Sequence, residues 1–249
     1  MFEMASKGKE RELQQREQHF LEAARRILLE DGYPGLSINR VAEMTGFSRG
    51  TVYLQFGSKE ELITVLGLQC RHRLLEAVEY GARYEGCPRE RMVAVGESIL
   101  RYVERNPQDQ RILKIIDSEL ILAKVSGERQ AEMNDYDVRV FLSVLGIIEE
   151  AVRVGDLEFR DGAGPAGLCF ASWAMMDGAF AAVMGGAPLE AVGIPNPVAE
   201  AIRNGQYLLD GYGWRPLSRE WDYEGATGRI RAYLDRMFLA NAGDANTMS

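Results

Sequence analysis

The sequence predicts an all-α protein: an N-terminal three-helix domain at residues 11–57 and a larger C-terminal helical bundle domain over residues 58–249. Three observations carry this reading. Apolar residues recur at helical spacing along nearly the whole chain, and period-two strand patterns are scarce. Clusters of Gly, Pro, Asn and Asp punctuate that spacing and set the helix ends. The early helical segments are short and the later ones long, with the change near residues 55–60 and no low-complexity linker or internal repeat.

Each element follows from its own signals. Phe20, Leu21, Ala24, Ile27 and Leu28 form one apolar stripe, so a helix should run over about 11–29 and stop at the breakers Asp31-Gly32-Tyr33-Pro34-Gly35. Two very short helices follow, near 37–44 and 48–55. A long helix opens at Ser58, whose spacing to Glu61 is that of a capping box. Further helices are expected at 89–105, ended by Asn106-Pro107, then at 108–125, 128–154, 165–184 and 197–210. After an aromatic, irregular stretch at 212–223, a last helix covers about 226–240.

Composition narrows the chemistry. With 249 residues, 46% apolar and 27% charged, the chain is an ordinary globular protein with enough length for a real core. Its three cysteines, Cys70, Cys87 and Cys169, are odd in number and widely spaced, which argues against a disulfide framework and a zinc ribbon. Only two histidines, His19 and His72, are present, so no metal site and no cofactor is expected. The first residues lack the apolar core of a secretory signal, and the expected compartment is the cytoplasm. Residues 162–189 carry Asp177 as their only charge, but Gly185-Gly186 and Pro188 interrupt them; they read as a buried helix, with a membrane span as the minor alternative. The net charge of −8 lies outside the first domain: residues 1–60 hold nine basic and nine acidic side chains, and the remainder 20 against 28. The acidic excess should suppress non-specific binding to nucleic acid without excluding specific binding.

The most informative segment is 37–56, SINRVAEMTGFSRGTVYLQF. Ser37 and Ser48 stand where each would cap a two-turn helix. Gly46 lies between them, at a tight turn that needs positive φ. Ile38, Val41 and Ala42 give the first helix an apolar edge; Val52 and Phe56 give the second one, and Phe47 can plug the corner. Arg49, Gly50, Thr51, Tyr53 and Leu54 are left on an exposed arc with Gln55 at its border. Such a pair of helices can set the second into a major groove. Arg49 suits guanine, and Thr51 or Leu54 a thymine methyl. Tyr53 and Lys59 suit phosphate, Lys59 also standing at a helix N-terminus.

These residues resemble the tetracycline-repressor (TetR) family of bacterial regulators. The resemblance runs from Asp31-Gly32-Tyr33 through Ser37, Val41-Ala42, Gly46-Phe47-Ser48, Gly50-Thr51, Tyr53, Phe56, Lys59-Glu60 and Leu62, over roughly residues 15–63. Ser37 stands where the family more often has Thr, a change that keeps the cap. The resemblance implies a three-helix DNA-binding domain and a larger domain that dimerises and senses a small molecule. By position, Asn39, Arg49, Gly50, Thr51, Tyr53, Gln55 and Lys59 match residues that touch DNA in the family; with the caps Ser37 and Ser48 they form the candidate DNA-binding set. The implied partners are a palindromic double-stranded operator, a second copy of the chain, and an effector whose contact residues the sequence does not identify. The implied function is that of a ligand-responsive repressor. The competing readings are an enzyme or small-molecule binder with a vestigial helix-turn-helix, but no nucleophile–base pair or phosphate loop is legible.

Other features weigh less. Gly162-x-Gly164-x-x-Gly167 matches a dinucleotide fingerprint in spacing, but a helical pattern precedes it where a strand is required. Ala174, Gly178, Ala182 and Gly186 form a small-residue stripe, with Trp173, Met176, Phe180 and Met184 as a bulky one beside it. The stripe suits close helix packing in the core or between subunits; the resemblance favours subunits, through 165–186 and 197–210. The Met- and aromatic-rich helices could line an apolar pocket, as the resemblance implies, but core filling is the commoner cause of such residues. Lys7, Lys9, Arg11 and Arg16, interleaved with glutamates, read as a solvated, frayed end.

Overall fold

The computed structural model describes residues 2–160 and 162–247; the side chains of Lys7, Lys9 and Met184 lie outside those described. Among the described residues the secondary structure is entirely helical. The helices are α1 (Phe2–Gly35), α2 (Ile38–Thr45), α3 (Arg49–Phe56), α4 (Lys59–Ala82), α5 (Pro88–Arg105), α6 (Pro107–Ile116), α7 (Glu119–Leu122), α8 (Gly127–Val154), α9 (Pro165–Met184), α10 (Pro197–Gly211) and α11 (Tyr223–Thr247), with a 3-10 turn at Leu189–Val192. The chain forms two compact units: Met1–Arg71 with Gln108–Asn134, and His72–Pro107 with Asp135–Ser249.

In the first unit α1 begins earlier than its apolar stripe suggests and is broken at Gly32, whose φ of 68° ends the regular helix. Phe20, Ala24, Ile27 and Leu28 of α1 are fully buried, as are Val41, Val52, Leu62, Ile63 and Leu66. Burying several such side chains contributes about 2 kcal/mol each before conformational entropy is counted. Phe20 meets Phe47 and Phe56 edge-on, at centroid separations of 5.2 and 6.1 Å. The segment after α5 completes this unit: Asp109 receives Arg25 at 2.7 Å and Asp117 receives Arg71 at 2.7 Å. One helix was expected over 108–125, but α6 stops at Ile116 and α7 restarts at Glu119. The reason is local. The Ser118 hydroxyl donates to the Ile115 carbonyl at 2.7 Å, so the side chain competes with the helix ladder.

The second unit is built around two apolar clusters. Val78, Val95, Ile147, Ile148, Ala151, Leu157, Leu168, Leu209 and Trp214 form one. Tyr80, Val93, Ala94, Ile230 and Leu234 form the other, where α11 packs on α5. Arg89, fully buried at the start of α5, donates to the carbonyls of Trp214 (3.0 Å) and Gln206 (3.1 Å) and pairs with Asp210 at 2.7 Å. α9 packs along α10.

The expectation that α9 is a buried helix is not met within one chain. Its stretch Pro165–Val183 is long and apolar enough to cross a membrane by length and composition, yet only 11% of it is buried. Phe170 is 58% and Trp173 43% exposed, Asp177 is exposed, and nothing lies within 4 Å of where a Gly178 Cβ would stand. A helix apolar on nearly all sides can bury only the side that its own chain covers.

Candidate nucleic-acid interface

The corner between α2 and α3 is fixed by its caps. The Ser37 hydroxyl accepts from the Arg40 amide at 3.2 Å, and the Ser48 hydroxyl from the Thr51 amide at 3.1 Å. Each bond satisfies an amide that a helix start leaves without a partner. Gly46 ends α2 at φ 73°, ψ 10°, the left-handed conformation that a side chain disfavours. Below the corner, Ile38, Val41, Ala42, Val52 and Phe56 are all buried. Arg40 adds a brace, donating to the Gly35 carbonyl at 3.0 Å and pairing with Asp31 at 2.6 Å.

The candidate residues fall into two groups. Asn39, Ser48, Arg49, Gly50 and Tyr53 are exposed, and Ser37, Thr51, Gln55 and Lys59 are half-buried. The Arg49 guanidinium lies over the Tyr53 ring at 5.2 Å, a cation–π contact that holds both side chains on the outer face. The Thr51 hydroxyl is bonded to that of Ser48 at 2.8 Å. A shallow concavity of about 360 Å³ between the helices is lined by Asn39, Ala42, Glu43, Gly46, Phe47 and Arg49.

Gln55 and Lys59 are engaged by their own chain. The Gln55 amide donates to the Glu17 carboxylate at 3.0 Å, and its carbonyl receives Arg16 at 3.4 Å. Arg16, expected in a solvated end, is therefore half-buried and tied to α3. The Lys59 ammonium sits 4.1 Å from the Tyr33 ring centroid and donates to the Leu36 carbonyl at 3.4 Å. Beside it, the Tyr33 hydroxyl donates to Glu60 at 2.7 Å, and Lys124 reaches the same carboxylate at 3.4 Å. Burial, with that bond to the charged carboxylate, pushes the Tyr33 phenol up to about 12. Burial would raise Glu60, but the Tyr33 hydroxyl, a backbone amide and Lys124 outweigh it and hold the carboxyl below its ordinary value. Ser58 caps α4 through the Glu61 amide at 3.0 Å. The Glu61 carboxylate, which the capping-box spacing assigns to Ser58, accepts instead from the Ser126 amide at 3.1 Å.

The sequence places Leu54 on the exposed arc and suits it to a thymine methyl, but the candidate set omits it. Leu54 is 88% exposed, the most exposed large apolar side chain among the described residues. The signal was present: at about 100° per residue, Leu54 lies roughly 200° around the helix from Val52, opposite the buried edge.

The family profile described as "Bacterial regulatory proteins, tetR family" matches residues 20–66, from mid α1 into α4. The transcriptional regulator AcrR of Shigella flexneri is 32% identical over 166 residues, 63% of this chain and 75% of AcrR. The chain belongs to the tetR family of bacterial regulatory proteins. The transcriptional repressor AcnR of Corynebacterium efficiens is 43% identical over 61 residues, 24% of this chain; the match spans about a third (32%) of the length of that relative. Among solved structures, the regulator FadR of Bacillus subtilis in complex with stearoyl-CoA shares the fold, with a TM-score of 0.56 and 20% identity over 76% of this chain and 98% of FadR.

Proposed function

We propose that this chain is a sequence-specific DNA-binding repressor that acts in the cytoplasm as a homodimer on a palindromic operator and is released by a small-molecule effector. The observation that carries the reading is the exposed face of α3. Arg49, Gly50, Tyr53 and Leu54 point outward from a corner whose caps and apolar underside are all in place. A narrow helix presented in this way enters a major groove with its N-terminal residues at the base edges. Arg49 offers a fork to guanine; Tyr53, Ser48 and Asn39 offer hydrogen bonds to base or phosphate; Lys59 adds a cation near the backbone.

Dimerisation is supported by α9, whose exposed apolar side runs beside a bare Gly178. Apolar area of this kind on a soluble chain marks an interaction surface, and a two-fold pairing would set two recognition helices about 34–36 Å apart, one turn of duplex. Effector control is supported by the FadR complex and by the grouping of residues 108–134 with the first unit. The pairs Asp109–Arg25, Asp117–Arg71 and Lys124–Glu60, with the Glu61–Ser126 bond, would pass a displacement of that segment to α1 and α4. An effector needs to prefer the released form by only ~1–3 kcal/mol. The deciding experiment is selection of duplexes from a random pool by the full chain, followed by footprinting. An inverted repeat with half-sites one turn apart is the expected result, and no enrichment at low salt overturns the reading.

A further inference from the structure

Resting on the DNA-binding reading above, we propose that Leu54 is a second specificity-determining side chain of α3 beside Arg49 and that it reads the 5-methyl group of a thymine, so that each operator half-site carries a thymine at the position facing it. The polar side chains around Leu54 already have contacts within the chain, and Leu54 has only solvent to meet. Arg49 is stacked on Tyr53, the Thr51 hydroxyl is bonded to Ser48, and Gln55 is held by Glu17 and Arg16. Leu54 is left at the centre of the arc, 88% exposed.

Its surroundings favour deep contact. A helical side chain leans toward the helix N-terminus, over the residue four positions before it. For Leu54 that residue is Gly50, and a Cβ built there would meet only the Ser48 hydroxyl, at 3.7 Å. The isobutyl group is thus flanked by bare backbone that can approach the bases closely. The major groove presents hydrogen-bonding atoms at every base pair but only one apolar group, the thymine methyl. An aliphatic side chain facing the groove therefore gains most against thymine and leaves base donors or acceptors without water against the other bases. Thr51, the other candidate for the same methyl, is half-buried with its hydroxyl engaged.

The test uses the duplex selected by the full-length protein. Each thymine is replaced in turn by deoxyuridine, which removes the methyl group alone. At one thymine per half-site the substitution should weaken binding about fourfold, the worth of one buried methyl-sized group. Leu54→Ala should weaken binding to the parent duplex, bind the deoxyuridine duplex no worse than the parent, and retain the helical circular dichroism and sedimentation mass of the parent protein. Equal binding of all deoxyuridine duplexes by the parent protein, or a Leu54→Ala variant that still distinguishes thymine from uracil, overturns the proposal while leaving DNA recognition intact. Failure to select any duplex overturns the DNA-binding reading itself and this inference with it.

Discussion

Gln55 donates to the Glu17 carboxylate at 3.0 Å across 38 positions of sequence, tying the last turn of α3 to the middle of α1. Arg16 approaches the same amide at 3.4 Å, so the orientation of α3 is set by polar contacts as well as by the apolar corner beneath it. Gln55→Ala and Glu17→Ala should each cost about 1 kcal/mol in urea unfolding, the usual worth of a half-buried hydrogen bond, and the double variant little more than either alone. Both should weaken the selected duplex without changing which bases are preferred. A changed base preference in Gln55→Ala alone would return Gln55 to the set of base-reading residues.

Arg49 and Lys59 should separate sequence reading from backbone attraction. Arg49→Ala is expected to lose roughly 1–3 kcal/mol of discrimination at one base pair. Lys59→Ala should weaken all duplexes alike and reduce the salt slope by about one. Salt titrations of both variants on selected and scrambled duplexes decide this. Parent-like binding by both would mean that the groove is entered by another surface.

The exposed side of α9 provides a test of assembly. Phe170→Asp places a charge on a side chain that is 58% exposed within one chain, so it should leave the fold intact and shift sedimentation toward the monomer. Affinity for a palindromic duplex should fall with it, because two linked half-sites bind far better than one. A variant that remains dimeric at micromolar concentration would place the interface elsewhere.

Arg89 and Asp210 make acid stability measurable. Burial lowers the Arg89 guanidinium, an effect that Asp210 partly offsets. Burial would raise Asp210, but Ser218, through both its hydroxyl and its amide, and Arg89 outweigh it and keep the carboxyl below its ordinary value. A carboxyl lowered in the native state stabilises above its unfolded value, near 3.9, and that contribution is lost as pH falls through the lowered native value. The urea midpoint should therefore drop below about pH 4, and Asp210→Asn should flatten this part of the profile. Arg89→Met should cost about 3 kcal/mol, since it strips the partner from a half-buried carboxylate and from two carbonyls.

Gly81 sets helix propensity against packing. A Cβ at this position would come within 2.5 Å of the Val95 Cα and backbone nitrogen, so α4 and α5 approach closely there. Alanine is the better helix former by about 1 kcal/mol, but the backbone shift it forces should cost more, roughly 1–3 kcal/mol. Gly81→Ala should be destabilised overall in urea unfolding; a stabilised variant would show that the two helices can part without loss.

Local signals in the sequence determined the helical class, the short-helix corner with its serine caps and left-handed glycine, and the outward arc of α3. Caps, turns and helical periodicity are interactions among residues a few positions apart, so spacing alone reveals them. Tertiary structure alone decided that Gln55 is latched to Glu17, that Lys59 folds over Tyr33, that α9 stays largely uncovered, and that residues 108–134 join the first unit. Each of these pairs residues dozens of positions apart or depends on which side of a helix finds a neighbour. Periodicity shows that a helix has an apolar side, and only the folded chain shows what that side meets.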